Sequence, residues 1–166
     1  LGAETFWYPY DAQSFFTVEA RLTLPSALTV VHNGVSASRI VRGSTQEVHW
    51  RTERPVAGMA LLAGDFDASE ERIADTTFRV FRARDVDLDP ARIRASLAQA
   101  NELFSEMFGP SGYSRYTLFI DRELRRAFND GSGLMGASVR YFREGDYGHN
   151  LLAHELAHVW WGGTVS

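Results

Sequence analysis

Residues 15 to 24 alternate with a period of two, placing Phe16, Val18, Ala20, Leu22 and Leu24 on one face and Thr17, Glu19, Arg21 and Thr23 on the other. Successive side chains of a strand point to opposite sides, so this pattern predicts a half-buried strand. Apolar segments continue at Leu28 to His32 and at Val35 to Val41, on either side of Asn33-Gly34. That dipeptide accepts the positive φ angles of a tight turn, and the two segments are expected to pair as a hairpin. Gly43-Ser44 then separates the second segment from Glu47 to Arg51, and the run Met59 to Ala63 ends at Gly64-Asp65. Residues 1–70 are therefore expected to form part of an antiparallel β-sandwich.

The pattern changes after Phe66. Asp67 to Asp75 is polar and charged, a plausible domain boundary, and Thr76 to Ala83 resumes as a strand. A helix follows, with Asp89 as N-cap, Pro90 at its first position, a stripe of Ile93, Leu97, Ala100, Phe104 and Phe108, and Gly109-Pro110 as its stop. Tyr116 to Ile120 predicts a short strand, Arg122 to Arg126 a solvated charged turn and Asn129 to Gly133 a glycine-rich turn. Leu134 to Phe142 is expected to be a strand leading, through Glu144 to Asn150, into a last helix. The fold class is α+β, with residues 71–166 as a second domain.

The chain has 166 residues, 45% of them hydrophobic, enough for a packed core in one or two small domains. Its net charge of -4 comes from scattered charges of both signs, without the basic stripe that nucleic acid requires. No apolar run approaches the ~20 residues of a membrane span. With no cysteine, a bound metal has to be held by histidine and carboxylate. The chain opens at Leu1 without an initiator methionine, and both ends are expected to be interior to a larger polypeptide.

The chemistry concentrates in His154-Glu155-Leu156-Ala157-His158. Residues four apart on a helix lie one above the other, so His154 and His158 can converge on one divalent cation, Zn2+. Glu155 sits one residue round, close enough to act as a general base toward a metal-activated water without being a ligand. Leu152, Leu156, Val159 and Trp160 share one side of the helical wheel, and Leu151, His154, Glu155 and His158 the other. A helix of that kind packs on a core while lining a cleft. Gly162-Gly163 is expected to end it. A catalytic zinc has three protein ligands and a water, and no further acid or imidazole follows His158. Glu144, Asp146 and His149 lie upstream at spacings that do not recommend them. His32 and His49 are read as structural, and Trp7, Trp50, Trp160 and Trp161 as core and cleft-wall aromatics.

The run HELAHVWWG, preceded by MALLAGDF (Met59 to Phe66) and by Trp7-Tyr8-Pro9 near the start, resembles the aminopeptidase N family of HEXXH zinc metallopeptidases, the gluzincins. The likeness extends over almost the whole chain. It implies an N-terminal β-sandwich followed by the first part of a thermolysin-like catalytic domain. It also implies His154 and His158 as zinc ligands, Glu155 as general base and peptides as substrates. Family members place a third ligand, a glutamate, and an oxyanion-stabilising tyrosine further along than this chain extends. They also carry a Gly-Ala-Met-Glu-Asn stretch on an edge strand, whose glutamate holds the substrate amino group. The nearest match here is Gly133-Leu134-Met135-Gly136-Ala137, expected to bind an extended peptide backbone, with Gly136 in the glutamate's place. Selection for free N-termini is weakened accordingly, unless Glu144 or Asp146 substitutes.

The leading expectation is zinc-dependent peptide hydrolysis by a protein of which this chain is a part. The isolated 166 residues are expected to bind metal weakly and to hydrolyse little. A non-catalytic peptide-binding or structural module with the same fold is the alternative, and a hydrolase acting on a non-peptide substrate such as an epoxide is a third reading.

Overall fold

The computed structural model describes Tyr8, residues 14–142 and residues 147–161. The chain divides into two compact units, Leu1–Phe66 and Asp67–Ser166. No helix among the described residues is long and apolar enough to cross a membrane.

In the first unit, β1 (Glu19–Pro25), β4 (Thr45–Arg51) and β3 (Val35–Arg42) form one antiparallel sheet in that order. A second sheet pairs β2 (Thr29–His32) with β5 (Leu61–Gly64), also antiparallel. The predicted alternation holds along β1, where Ala20, Leu22 and Leu24 turn inward and Glu19, Arg21 and Thr23 outward. Leu24, Val48, Trp50 and Leu61 form the core between these elements, and the His32 ring stacks on the Trp50 indole at 4.9 Å. His49 pairs with Glu19 at 2.8 Å across the β1–β4 ladder. Both rings are thus engaged in contacts within this unit.

The hairpin expected at Asn33-Gly34 does not form, because β2 pairs with β5 and β3 with β4. Asn33 is buried, donating from Nδ2 to the Gly58 carbonyl at 2.8 Å and accepting from the Ala60 amide at Oδ1. These bonds tie the corner to the segment that enters β5, so the chain changes sheets there. Gly34 is required by proximity, since a Cβ would lie 2.4 Å from the Arg51 carbonyl oxygen. The tight hairpin is at Gly43 instead, with φ of 59° between β3 and β4.

The second unit is built on a five-stranded sheet in the order β6-β7-β8-β10-β9. Its strands are β6 (Phe66–Ile73), β7 (Thr76–Ala83), β8 (Arg115–Asp121), β9 (Phe128–Asn129) and β10 (Leu134–Ser138). β7, β8 and β10 are parallel, and β9 runs antiparallel along β10. The polar stretch expected to separate the domains is thus largely strand β6. Parallel neighbours need a crossover, which α1 (Pro90–Phe108) supplies between β7 and β8.

The Asp89 carboxylate accepts from the Ala91 amide at 2.9 Å, Pro90 opens the helix, and Gly109 at φ 81° closes it. Ile93, Leu97 and Ala100 are buried as expected, whereas Phe108 is 48% exposed. The predicted strand over 134–142 ends at Ser138 and continues as a 3-10 turn, Val139–Phe142. The last helix is α2 (Tyr147–Ala157), packed against α1. Gly162-Gly163, Trp7 and Pro9, Glu144 and Asp146 lie outside the described residues.

Asp89→Ala removes the only side-chain acceptor at the start of α1 among the described bonds. It is expected to lower stability by about 1 kcal/mol, read as a shift of the urea midpoint at unchanged slope.

Candidate metal and peptidase site

The face of α2 that the sequence assigned to the core is buried without exception: Leu152, Leu156, Val159 and Trp160 are all 3% exposed or less. They pack with Leu97 and Ala100 of α1 and with Tyr116, Leu118 and Met135 of the sheet in one cluster. The Trp160 indole N–H donates to the Gly109 carbonyl at 2.9 Å, and its ring meets Phe104 edge-on. On the same helix, His149 bonds Ser96 of α1 through Nδ1. His149 thus ties the two helices together and faces a different cavity from the other two imidazoles.

Regular helix stops at Ala157, earlier than the sequence suggested. The chain tightens there, with His158, Val159 and Trp160 donating to Glu155, Leu156 and Ala157, each three residues back. Such 3-10 turns are common where helices end. His154 and His158 nevertheless remain neighbours, both exposed, their ring centres 5.0 Å apart and their planes at 88°. Two imidazoles on one tetrahedral zinc, with Zn–N bonds of about 2.0–2.1 Å, have ring centres about 5 Å apart. The pair therefore fits two positions of a zinc site. Among the described residues, no third His, Asp or Glu completes the set.

Glu155, between them in sequence, is 6% exposed. Burial pushes its carboxyl above the ordinary carboxylate range, while the His154 and His158 imidazoles pull it partly back. All three side chains line one cavity of about 480 Å³. Trp161 flanks them, and Ala127 to Gly131 form the facing wall.

That wall was missed in the sequence. Of the strand expected at the edge, Gly133-Leu134-Met135-Gly136-Ala137, Leu134 to Ala137 lie within β10, between β8 and β9, and Gly133 immediately precedes it. The edge belongs to β9, with Phe128 opposite Gly136 and Asn129 opposite Met135. Gly136 has a packing reason, because a Cβ there would lie 2.4 Å from the Phe128 ring and 2.7 Å from that of Phe119. Asp130 shapes the loop from β9 into β10, its carboxylate accepting from the amides of Ser132 and Leu134 and from the Ser132 hydroxyl. Asn129 reaches across to the helix, donating from Nδ2 to the Glu155 carbonyl at 2.5 Å.

No family model matches this sequence, and no curated protein matches it. Among solved structures, the chain has the fold found in M1 zinc metallopeptidases. The M1 zinc metallopeptidase from Deinococcus radiodurans superposes with a TM-score of 0.70 at 18% identity, over 91% of this chain and 35% of that one. A two-domain M1 zinc metallopeptidase variant bound to L-arginine gives 0.66 at 17% identity, over 87% of this chain and 34% of that one. The same kind of two-domain variant bound to L-tryptophan gives 0.64, also at 17% identity. The chain spans about a third of the length of these proteins, at 34–35%.

The raised carboxyl of Glu155 has a consequence for folding. The unfolded chain gives up this proton more readily than the folded one, so stability is lost as pH rises from the unfolded value through the folded value. With a chelator present, Glu155→Gln is expected to be more stable than the original sequence at pH 7. The difference should close below about pH 4, where glutamate is protonated in both states. Urea midpoints at the two pH values measure it, and equal midpoints at pH 7 would contradict it.

Proposed function

We propose that this chain carries the general base and two metal ligands of a zinc-dependent metallopeptidase of the aminopeptidase kind. Residues 1–70 then belong to its N-terminal β-sandwich and residues 71–166 to the first part of its thermolysin-like catalytic domain. The observation that carries the reading is the buried Glu155 carboxylate in the same cavity as two imidazoles at zinc-compatible spacing. A helix with only a packing role has no use for a desolvated acid there, which argues against a non-catalytic module. The M1 fold supports the same reading.

His154 and His158 would hold the zinc, with the third ligand outside the described residues. Bound zinc supplies Lewis acidity toward the scissile carbonyl and lowers the pKa of water toward about 7. Glu155 takes the proton of the attacking water and delivers it to the leaving amine, so the two transfers balance. Its raised pKa suits a group that must hold that proton between the steps. The edge strand β9 borders the cavity and offers unpaired backbone along which an extended peptide can lie. Leu134 to Ala137 stand one strand behind and support that edge, with Gly133 in the loop that leads into them.

Turnover is tested on a polypeptide with three zinc ligands in place. In that setting Glu155→Gln is expected to retain zinc and to lower kcat by about 10²–10⁴-fold. His158→Ala is expected to lose both zinc and turnover. Full activity of the Glu155→Gln variant on a peptide panel would remove the assignment.

A further inference from the structure

We propose that Asn129 is a positioning residue that fixes the turn carrying Glu155 and His158, through its bond to the Glu155 backbone carbonyl. In its zinc arm this rests on the peptidase reading above. The starting point is β9 itself, a strand of only two residues that nonetheless forms one wall of the cavity. So short a strand needs more than its ladder bonds to stay in place.

Its two residues are gripped differently. Phe128 is seated over Gly136, in space that a Cβ there would fill, with its ring centre 5.5 Å from that of Phe119. Asn129 reaches α2. Its amide is oriented by two partners of opposite kind: Oδ1 accepts from the Gly131 amide at 2.7 Å and Nδ2 donates to the Glu155 carbonyl at 2.5 Å. An amide has one acceptor end and one donor end, so both partners are satisfied in a single orientation.

The carbonyl it grips is the one that sets the turn. Glu155 O also accepts from the His158 amide, at a long 3.3 Å, in the first of the three tightened bonds that follow Ala157. His158 is therefore placed by a weak local bond whose acceptor is held from across the cavity. The 5.0 Å spacing of the two imidazoles depends on where that turn sits. Asn129 thus couples the sheet edge to the metal turn without touching the metal or the reacting atoms. Outer partners of this sort typically change metal affinity by about 10–100-fold when removed.

The test compares the 166-residue chain with Asn129→Asp, which keeps the shape and loses the donor, and Asn129→Gln, which keeps an amide donor. Imidazole ring signals of His154 and His158 are followed by NMR during a Zn2+ titration, with thermal midpoints recorded in parallel. Asn129→Asp should weaken zinc at least tenfold and shift the His158 ring signals before metal is added. Asn129→Gln should recover part of the affinity. Unchanged zinc affinity in Asn129→Asp overturns the proposal. If two imidazoles alone take up no zinc in the original chain, the metal-free spectra decide the positioning role independently of the peptidase reading: unshifted His158 ring and amide signals in Asn129→Asp overturn it, and shifted ones uphold it.

Discussion

The site depends on the burial of one face of α2. Leu152, Leu156, Val159 and Trp160 leave solvent almost completely, each contributing roughly 1.5–3 kcal/mol or more when an aliphatic or aromatic side chain is fully buried. A buried polar group without full compensation costs about 1–3 kcal/mol, and a charged one more. Four buried apolar side chains offset the desolvation of Glu155, and the helix can carry a buried acid without losing its seat. With that face fixed, the 3.6-residue repeat leaves His154 no direction but the opposite one, and His158 follows in the tightened turn. The Trp160 indole bond to Gly109 extends the constraint past the end of regular helix, where periodicity alone no longer governs the chain.

The sheet edge answers to a second constraint, the seating of Phe128. A side chain at position 136 and a ring at position 128 compete for the same volume, and this chain resolves the conflict in favour of the ring. Gly136 is thus explained by packing, without reference to substrate. The consequence runs through the neighbouring residue: with Phe128 held on one side of β9, Asn129 is presented to α2 on the other and closes onto the Glu155 carbonyl. The edge strand, the turn after Ala157 and the cavity are thereby linked.

Much of this was legible in the sequence. The alternation in β1, the cap and stop of α1, and the two-faced α2 follow from local periodicity and end chemistry, which act within a few residues. What could not be read was pairing. Asn33-Gly34 has the composition of a hairpin turn, yet Asn33 bonds to Gly58 and Ala60, and those long-range bonds decide which strand β2 joins. The edge strand was misplaced for a related reason. Gly133 to Ala137 matched by glycine and methionine, whereas Ala127-Phe128-Asn129-Asp130, which lines the cavity, was read as the approach to a turn. A two-residue strand has no periodicity to detect. The signal available was the apolar Phe128 beside two small polar residues, just ahead of a glycine-rich loop.

Glu155 is where stability and chemistry pull apart. Solvent exposure would relieve its desolvation and return its carboxyl toward the ordinary range, but an exposed carboxylate at that range holds a proton poorly near neutral pH. Burial raises the affinity for the proton, and the flanking imidazoles limit how far it rises. The acid–base role proposed for Glu155, in which a proton is accepted and then released, calls for that intermediate condition. The same geometry explains why the acid sits next to His154 in sequence rather than a full turn away. One residue round the helix brings it to the border of the buried face, beside the two imidazoles and far enough toward the core to be shielded from water. A position on the fully exposed face would forfeit the shielding, and one among Leu152, Leu156 and Val159 would deny it access to the cavity.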